Sequence, residues 1–574
     1  MKPIIWKYGP LEIRQEPYID ESTKVQQFRD IRKNYSKFIS KIPIDNDFDT
    51  TFAHTYTKNL IESYLQEFDR DHFSARDKMS IKSHISFLSK ILKKSQKMSS
   101  FTLICFETLI ENIELLKYAF KALKHVKKLK IHFFLLSDQK VMQFWVKFVS
   151  KILKYYKLTH LSFDIFINPL VIPNLMKLLQ VLSRIRTLES LEIDLFSTST
   201  PHECAQFPQV LDKISSLLQK NNQFKHFSLN IPGSLDKYEN ELVNLWSSLK
   251  NQSEIQNLKM TICLENERIK EKIQTTLHSL SNLSFLDINL KFCKGIAQDL
   301  THFFQSLPPT LKALQITLTN KSSDPPPTYG DLQSLGQGIS SLKSLEELIY
   351  NYHSERSDKD YLQVLGENIG SLGRLRRLEF GADGETHASK SKMDLFNSLT
   401  KVIKNVSDLC ELGFEFQIRD SAKRFQDESF WLFLEEVKRF TGLTSLKLNF
   451  GETSCGDKAF EGLKDVFKYL NNLKTLEIDI GSRKFTNKGL IDFGKGVEAF
   501  EGSLERLRFS LGGGKIRKGV KRLLQNFVRV FKTREVEITF EVCGEGIEDT
   551  YDDIFVILNE SIYSKFWKLE IFDF

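Results

Sequence analysis

The chain has 574 residues, 41% of them hydrophobic and 27% charged, with a net charge of +8. That composition describes an ordinary soluble protein. Its seven cysteines are scattered without a C-x-x-C pair, which argues against a disulfide framework and against a zinc site; a reducing, cytoplasmic compartment is expected.

The opening stretch, MKPIIWKYGPLEIRQEPYID, has no apolar signal core. The longest apolar stretch, near Ile165–Met176, contains Pro169 and Pro173 and is too short to span a bilayer. Residues 1–100 show no internal repeat. Val25, Phe28, Ile31, Tyr35 and Phe38 have the spacing of one helix, and His54–Asp69 and Ser80–Lys97 suggest two more. We read residues 1–100 as a helical N-terminal cap, with a separate adaptor domain as the alternative. Residues 1–157 hold 29 Lys and Arg against 17 Asp and Glu, so +12 of charge lies there and about −4 over the rest. Lys117, Lys121, Lys124 and Lys128 step by three or four along one helical face and form a basic patch.

Residues 101–574 carry a repeat. Its clearest copy is Leu473–Ile480, LKTLEIDI, where Leu476, Ile478 and Ile480 alternate as on one face of a strand and Leu473 precedes them by a turn. Taking the residue that opens each L-x-L pair gives markers at Leu129, Leu161, Leu191, Phe227, Leu258, Leu286, Leu314, Leu348, Leu378, Leu412, Leu446, Leu476, Leu507, Val536 and Leu569. Their mean spacing is about 31 residues, which leaves room for one helix between strands. After Leu473–Ile480, the residues Leu490, Phe493, Val497 and Phe500 recur at helical spacing. Extra residues follow several strands, as at Asn320–Gly330, Gly381–Lys392 and Gln417–Gln426, and insertions at one place in each repeat fall on one rim. The strand at Phe566–Phe574 has no helix after it, which predicts an exposed sheet edge.

This pattern resembles the leucine-rich-repeat family, in its longer-repeat class like ribonuclease inhibitor. The family's Asn or Cys five residues after the marker is kept only at Cys263; Phe196, Pro232, Lys291, Gly451 and Gly481 stand there elsewhere. The resemblance implies an α/β solenoid of about 15 repeats, a horseshoe with an inner parallel sheet and outer helices. It also implies a non-catalytic scaffold whose residues between the core positions line the inner face. Those positions include Asp164, Glu192, Asp194, Glu379, Glu411, Glu415, Glu477 and Asp479, an acidic set suited to a protein partner with a basic segment.

No catalytic, cofactor or metal residues stand out. Gly512–Lys515, GGGK, lacks the first Gly and the Ser or Thr of a phosphate loop. The acidic run Glu541–Asp553 lacks calcium-loop spacing, and no histidines pair as H-x-x-x-H. The expected function is a protein-binding scaffold or a structural subunit of a larger intracellular assembly. The alternatives are a ubiquitin-ligase substrate receptor, a GTPase-activator-type regulator, or a basic-patch binder of nucleic acid or a membrane surface. The patch is Lys-rich with almost no Arg and has no base-reading element, so nucleic acid is the less supported partner. Oligomeric state is not legible in the sequence.

Overall fold

The computed structural model describes residues 4–7, 100–105, 126–133, most of 143–512, part of 523–530, and residues 537–543 and 567–572. The proposed cap at 1–100 and Lys117, Lys121 and Lys124 lie outside the described residues, apart from β1 (Ile4–Lys7) and the first residue of β2. Two compact units are present. The N-side unit comprises Pro43–Asn289 with Ser306–Thr310; the C-side unit comprises Met1–Ile42, Leu290–Gln305 and Leu311–Phe574.

In the N-side unit the strands are β2 (Ser100–Cys105), β3 (Lys128–Phe133), β4 (His160–Phe166), β5 (Ser190–Phe196), β6 (His226–Asn230), β7 (Asn257–Cys263) and β8 (Phe285–Lys291), whose last two residues fall in the other unit. Helices α1 (Ile172–Leu182), α2 (Phe207–Lys220), α3 (Glu239–Lys250) and α4 (Glu267–Ser279) alternate with them from β4 onward. Strands β2 to β7 pair in parallel and in sequence order. Leu129, Leu161, Leu191, Phe227 and Leu258 share one register row, and Phe101 extends that row one coil earlier than Leu129.

The C-side unit runs α5 (Ala297–Gln305), β9 (Ala313–Asn320), α6 (Tyr329–Ser340), β10 (Glu347–Ser354), β11 (Arg377–Glu385), α7 (Leu395–Lys404), β12 (Glu411–Arg419) and α8 (Asp427–Val437). It continues through β13 (Ser445–Thr453), α9 (Asp457–Phe467), β14 (Thr475–Ser482), α10 (Asn487–Val497), β15 (Arg506–Gly512), β16 (Glu537–Cys543) and β17 (Trp567–Phe572). Strands β9 to β17 are again parallel and sequential. Each unit is thus an α/β array of parallel strands alternating with helices, the leucine-rich-repeat solenoid class. Leu473, Leu476, Ile478 and Ile480 are buried, as are Leu490, Phe493, Val497 and Phe500.

Three details differ from expectation. Leu507 pairs with Ile538, and Ile538 with Trp567, so the last two marker positions are Ile538 and Trp567, two residues from Val536 and two from Leu569 respectively. Both segments carry three alternating apolar residues, and a two-residue shift leaves the same face inward. Strands β11 and β12 run on to Glu385 and Arg419, into stretches expected to be loops. Finally, the edge of β17 is taken by β1 in antiparallel pairing, so it is not open.

Main-chain hydrogen bonds tie each coil to the next. The carbonyl of Lys127 accepts from the N–H groups of Thr159 and His160, at 2.9 and 3.0 Å, and Thr159 in turn accepts from Glu189 and Ser190. The series continues through Glu189, Lys225 and Gln256. In the C-side unit it runs through Lys312, Glu346, Arg376, Cys410, Thr444 and Lys474. These rails join successive coils chiefly through backbone, with hydroxyls such as Thr444 Oγ1 donating to the same carbonyls, although the family's polar side-chain position is mostly absent here. Helix starts add side-chain links. Asp427 Oδ1 accepts from the Gly456 N–H at 2.7 Å, and Asp457 Oδ1 accepts from Thr486 and Gly489 N–H at 2.7 and 3.1 Å. A carboxylate in the first turn of one helix, where the dipole favours it, thereby holds the turn into the next helix.

Candidate functional site

On each strand from β3 to β15 the residues at the marker position and two beyond are buried. The residues one before, one after and three after therefore form three outward rows. In the C-side unit these rows are set by register. Glu347, Arg377, Glu411, Ser445, Thr475 and Arg506 form the first row. Ile349, Glu379, Gly413, Lys447, Glu477 and Arg508 form the second, and Asn351, Gly381, Glu415, Asn449, Asp479 and Ser510 the third. Glu379, Glu411, Glu415, Glu477 and Asp479 are all partly exposed, and all but Glu411 stand between buried neighbours. Glu411 and Glu477 are two strands apart, about 10 Å at usual strand spacing.

Arg377 organises this surface. Its Nη2 lies 2.7 Å from Glu379 Oε1, its Nε 3.4 Å from Glu411 Oε2 and its Nη1 3.7 Å from Glu347 Oε2. Burial opposes its charge, but Glu379, Glu411 and Glu347 outweigh that and hold its pKa above the usual value. Lys447 Nζ donates to Glu415 Oε2 at 2.6 Å. Gly413 sits under this network: a Cβ there would lie 2.8 Å from the Cγ of Glu379, so the glycine lets that carboxylate reach across the strand. On β10 to β13, Glu347, Glu379, Glu411 and Glu415 face Arg377 and Lys447, an excess of two negative charges in these rows. On β14 and β15, Glu477 and Asp479 stand beside Arg506 and Arg508, which balance them in number.

The N-side unit has its own outward rows. Lys128, His160, Ser190, His226 and Asn257 share the first; Lys130, Ser162, Glu192, Ser228 and Lys259 the second; His132, Asp164, Asp194 and Asn230 the third. Lys130 Nζ pairs with Asp164 at 3.4 Å and Lys259 Nζ with Asp287 at 2.9 Å. Burial, then the neighbouring Asp164 charge, raises the carboxyl of Asp194 above its usual pKa. The rings of His160 and His226 stack 6.3 Å apart across Ser190. Burial lowers both imidazole pKa values; at His160, Lys128 and His226 push further down, whereas at His226 Glu192 pushes back up. Glu192 and Lys128 are exposed.

Sequence reasoning named the carboxylates at outward positions and read His160 and His226 singly as surface polar residues, but it did not single out Glu347 or Arg377 or bring the two histidines together. All four stand one residue before a marker, and the same position read at every repeat would have found them. Among the described residues, no group of three or more His, Cys, Asp or Glu could hold a metal ion, and no helix is long and apolar enough to cross a membrane. No family model matches the chain, and no curated protein matches it. Among solved structures it is similar to a chain in the crystal structure of a Rad7 and Elc1 complex in yeast, at 12% identity and a TM-score of 0.35, over 89% of this chain and 90% of that chain. A likeness at that TM-score bears on neither partner nor role; the fold class rests on the strands and helices themselves.

Proposed function

We propose that the chain is a non-catalytic protein-binding scaffold, or a structural subunit of a larger intracellular assembly, and that a basic segment of a protein partner docks on the outward strand rows. The observation that carries this reading is the carboxylate excess on β10 to β13, where Glu347, Glu379, Glu411 and Glu415 outnumber Arg377 and Lys447. The carboxylates stand on a hydrogen-bonded sheet, so little ordering cost falls on the scaffold when a partner binds. Long-range attraction to a basic partner raises the association rate more than the final affinity. Glu477 and Asp479 extend the same rows, and Asp164, Glu192 and Asp194 form a separately built second surface on the N-side unit, where Lys128, Lys130 and Lys259 equal them in number. On this reading the chain works in a reducing, cytoplasmic environment, and residues 1–100 cap its repeats.

The test is affinity purification from the native cell, followed by binding measurements on the partner recovered. Reversing Glu415 and Asp479 to Lys together is expected to slow association and flatten its salt dependence. Stability should change by less than about 1 kcal/mol, since exposed ion pairs contribute little. A partner that binds the double variant at the same rate with the same salt dependence would remove this face from consideration.

A further inference from the structure

Strand β17 has two different neighbours. It pairs in parallel with β16, and on its other side pairs antiparallel with β1 through four register positions: Ile4 with Ile571, Ile5 with Glu570, Trp6 with Leu569 and Lys7 with Lys568. Every other strand pair recorded in the unit is parallel and joins consecutive repeats. The β1 pairing instead brings together segments more than five hundred residues apart in sequence. Its partners are found by strand edge and register, as when a separate peptide adds to a sheet.

The register rows show why this segment fits. The row through buried Phe509 continues to Phe540, Leu569 and Trp6. The row through Leu511 continues to Val542, Ile571 and Ile4. The intervening rows pass through Ser510, Glu541 and Glu570 to Ile5, and through Arg508, Thr539 and Lys568 to Lys7. The segment therefore continues both apolar rows with apolar residues. A slip by one residue would bring Lys7 into an apolar row, so the pattern selects this register. Pro3 and Pro10 flank the segment and cannot donate to a ladder, which bounds the strand.

We propose that the β17 edge is a strand-docking site whose occupant is Ile4–Lys7, and that this segment is a separable cap, able to bind there in trans as well as within its own chain. A solenoid needs its terminal core covered. Here the cover is supplied by a segment from the opposite end of the sequence.

Two measurements test this. In the full chain, Ile5→Cys combined with Glu570→Cys should cross-link on mild oxidation, as mapped by mass spectrometry, well ahead of Ile5→Cys combined with Lys568→Cys. Equal cross-linking of the two pairs, or none, overturns the docking site. In a chain lacking residues 1–9, a labelled peptide of sequence MKPIIWKYG should bind saturably by fluorescence anisotropy, and the same peptide carrying Trp6→Glu should not. The full chain should bind the peptide roughly a hundredfold more weakly, because its own segment competes at high effective concentration. Equal binding to both chains, or no binding to a folded shortened chain, overturns separability. Should the shortened chain fail to fold alone, peptide added during refolding restores the folded protein if the proposal holds, and leaves it unfolded if it does not.

Discussion

The two units solve helix packing with different residues. Residues 43–289 contain a single glycine, Gly233, of the 27 in the chain. Their helices meet through Leu, Ile, Val and buried hydroxyls, as at Leu211, Ile214, Ser215 and Leu218 on α2. The C-side unit packs phenylalanine on one helix against glycine on the next. A Cβ on Gly338 would lie 2.8 Å from the Cβ of Phe304, one on Gly489 would lie 3.0 Å from Phe460 Cδ2, and one on Gly496 would lie 3.0 Å from Phe467 Cδ2. Large and absent side chains alternate, so the sum of volumes between neighbouring helices can be kept while its distribution changes. The difference teaches that one repeat length can be filled in two ways, and that the second way leaves little room for a Cβ at the glycines that face phenylalanine or backbone, such as Gly338, Gly366 and Gly496.

Truncating a large side chain in the C-side unit should have the largest effect. Phe396 touches Phe430, Phe450 and Phe433 at ring-centre distances of 4.6, 5.0 and 5.9 Å. Phe396→Ala is expected to cost about 3–5 kcal/mol in denaturant unfolding, and Leu476→Ala roughly 2–5 kcal/mol, as buried truncations do. A near-zero shift of midpoint for either would remove it from the core. Next comes the glycine test. At Gly366 a Cβ would lie 2.6 Å from the Cα of Val402, a backbone atom that cannot swing aside. Helix propensity alone favours Ala by about 1 kcal/mol. We expect Gly366→Ala nonetheless to destabilise by about 1–3 kcal/mol through overpacking. A stabilised variant would show that the close approach is not real. In the other unit, Ser215 is buried and donates to the Leu211 carbonyl within its own helix at 2.9 Å. Ser215→Ala should cost less than about 1 kcal/mol, the net worth of one such bond.

The smallest effect concerns pH. His160 and His226 have imidazole pKa values held below 6.5 in the folded N-side unit. A depressed value means that the unfolded chain takes up protons first. The contribution of these groups is therefore complete above pH 6.5 and is lost as pH falls through their folded values. Protection factors of the β4 to β6 amides, with the intrinsic pH dependence of exchange divided out, should fall across that window, and replacing both histidines by Gln should remove the change. Asp194, with its raised carboxyl value, acts in the opposite sense at lower pH, so the informative quantity is the difference between the two proteins. Equal pH dependence in both would assign the change to other groups.

Much of the fold was legible because the apolar period is stiff. Leu378, Leu412, Leu446, Leu476 and Leu507 occupy one register row, as their spacing implies. Legibility failed where one pattern has two readings: the alternation through Val536, Ile538 and Phe540 fixes the face but not which residue begins it. It failed again where the informative relation is between coils. Arg377 becomes the centre of a carboxylate network only once Glu347 and Glu411 are known to stand beside it. Likewise His160 and His226 approach only because β5 separates them by one strand on each side. The segment IIWK is too short to carry a periodic signal, and its partner strand lies at the far end of the sequence.

The main-chain rails set a rule for sequence change along the solenoid. Their donors and acceptors are all backbone, as shown by Lys312, Glu346, Arg376, Cys410, Thr444 and Lys474 serving in turn in the C-side unit. Side chains at these sites supplement the rail rather than form it: Lys312 pairs with Glu346 at 3.2 Å, Lys474 with Glu505 at 3.0 Å, and Thr444 Oγ1 donates to the Cys410 carbonyl at 3.0 Å, so a change of side chain there removes only a surface contact of small worth. Proline is the exception, since it cannot donate. Placed at Arg376 or Cys410, it would remove one of the two N–H bonds to the carbonyl of the preceding coil, leaving that of Arg377 or Glu411. These turns should therefore tolerate most substitutions better than they tolerate proline.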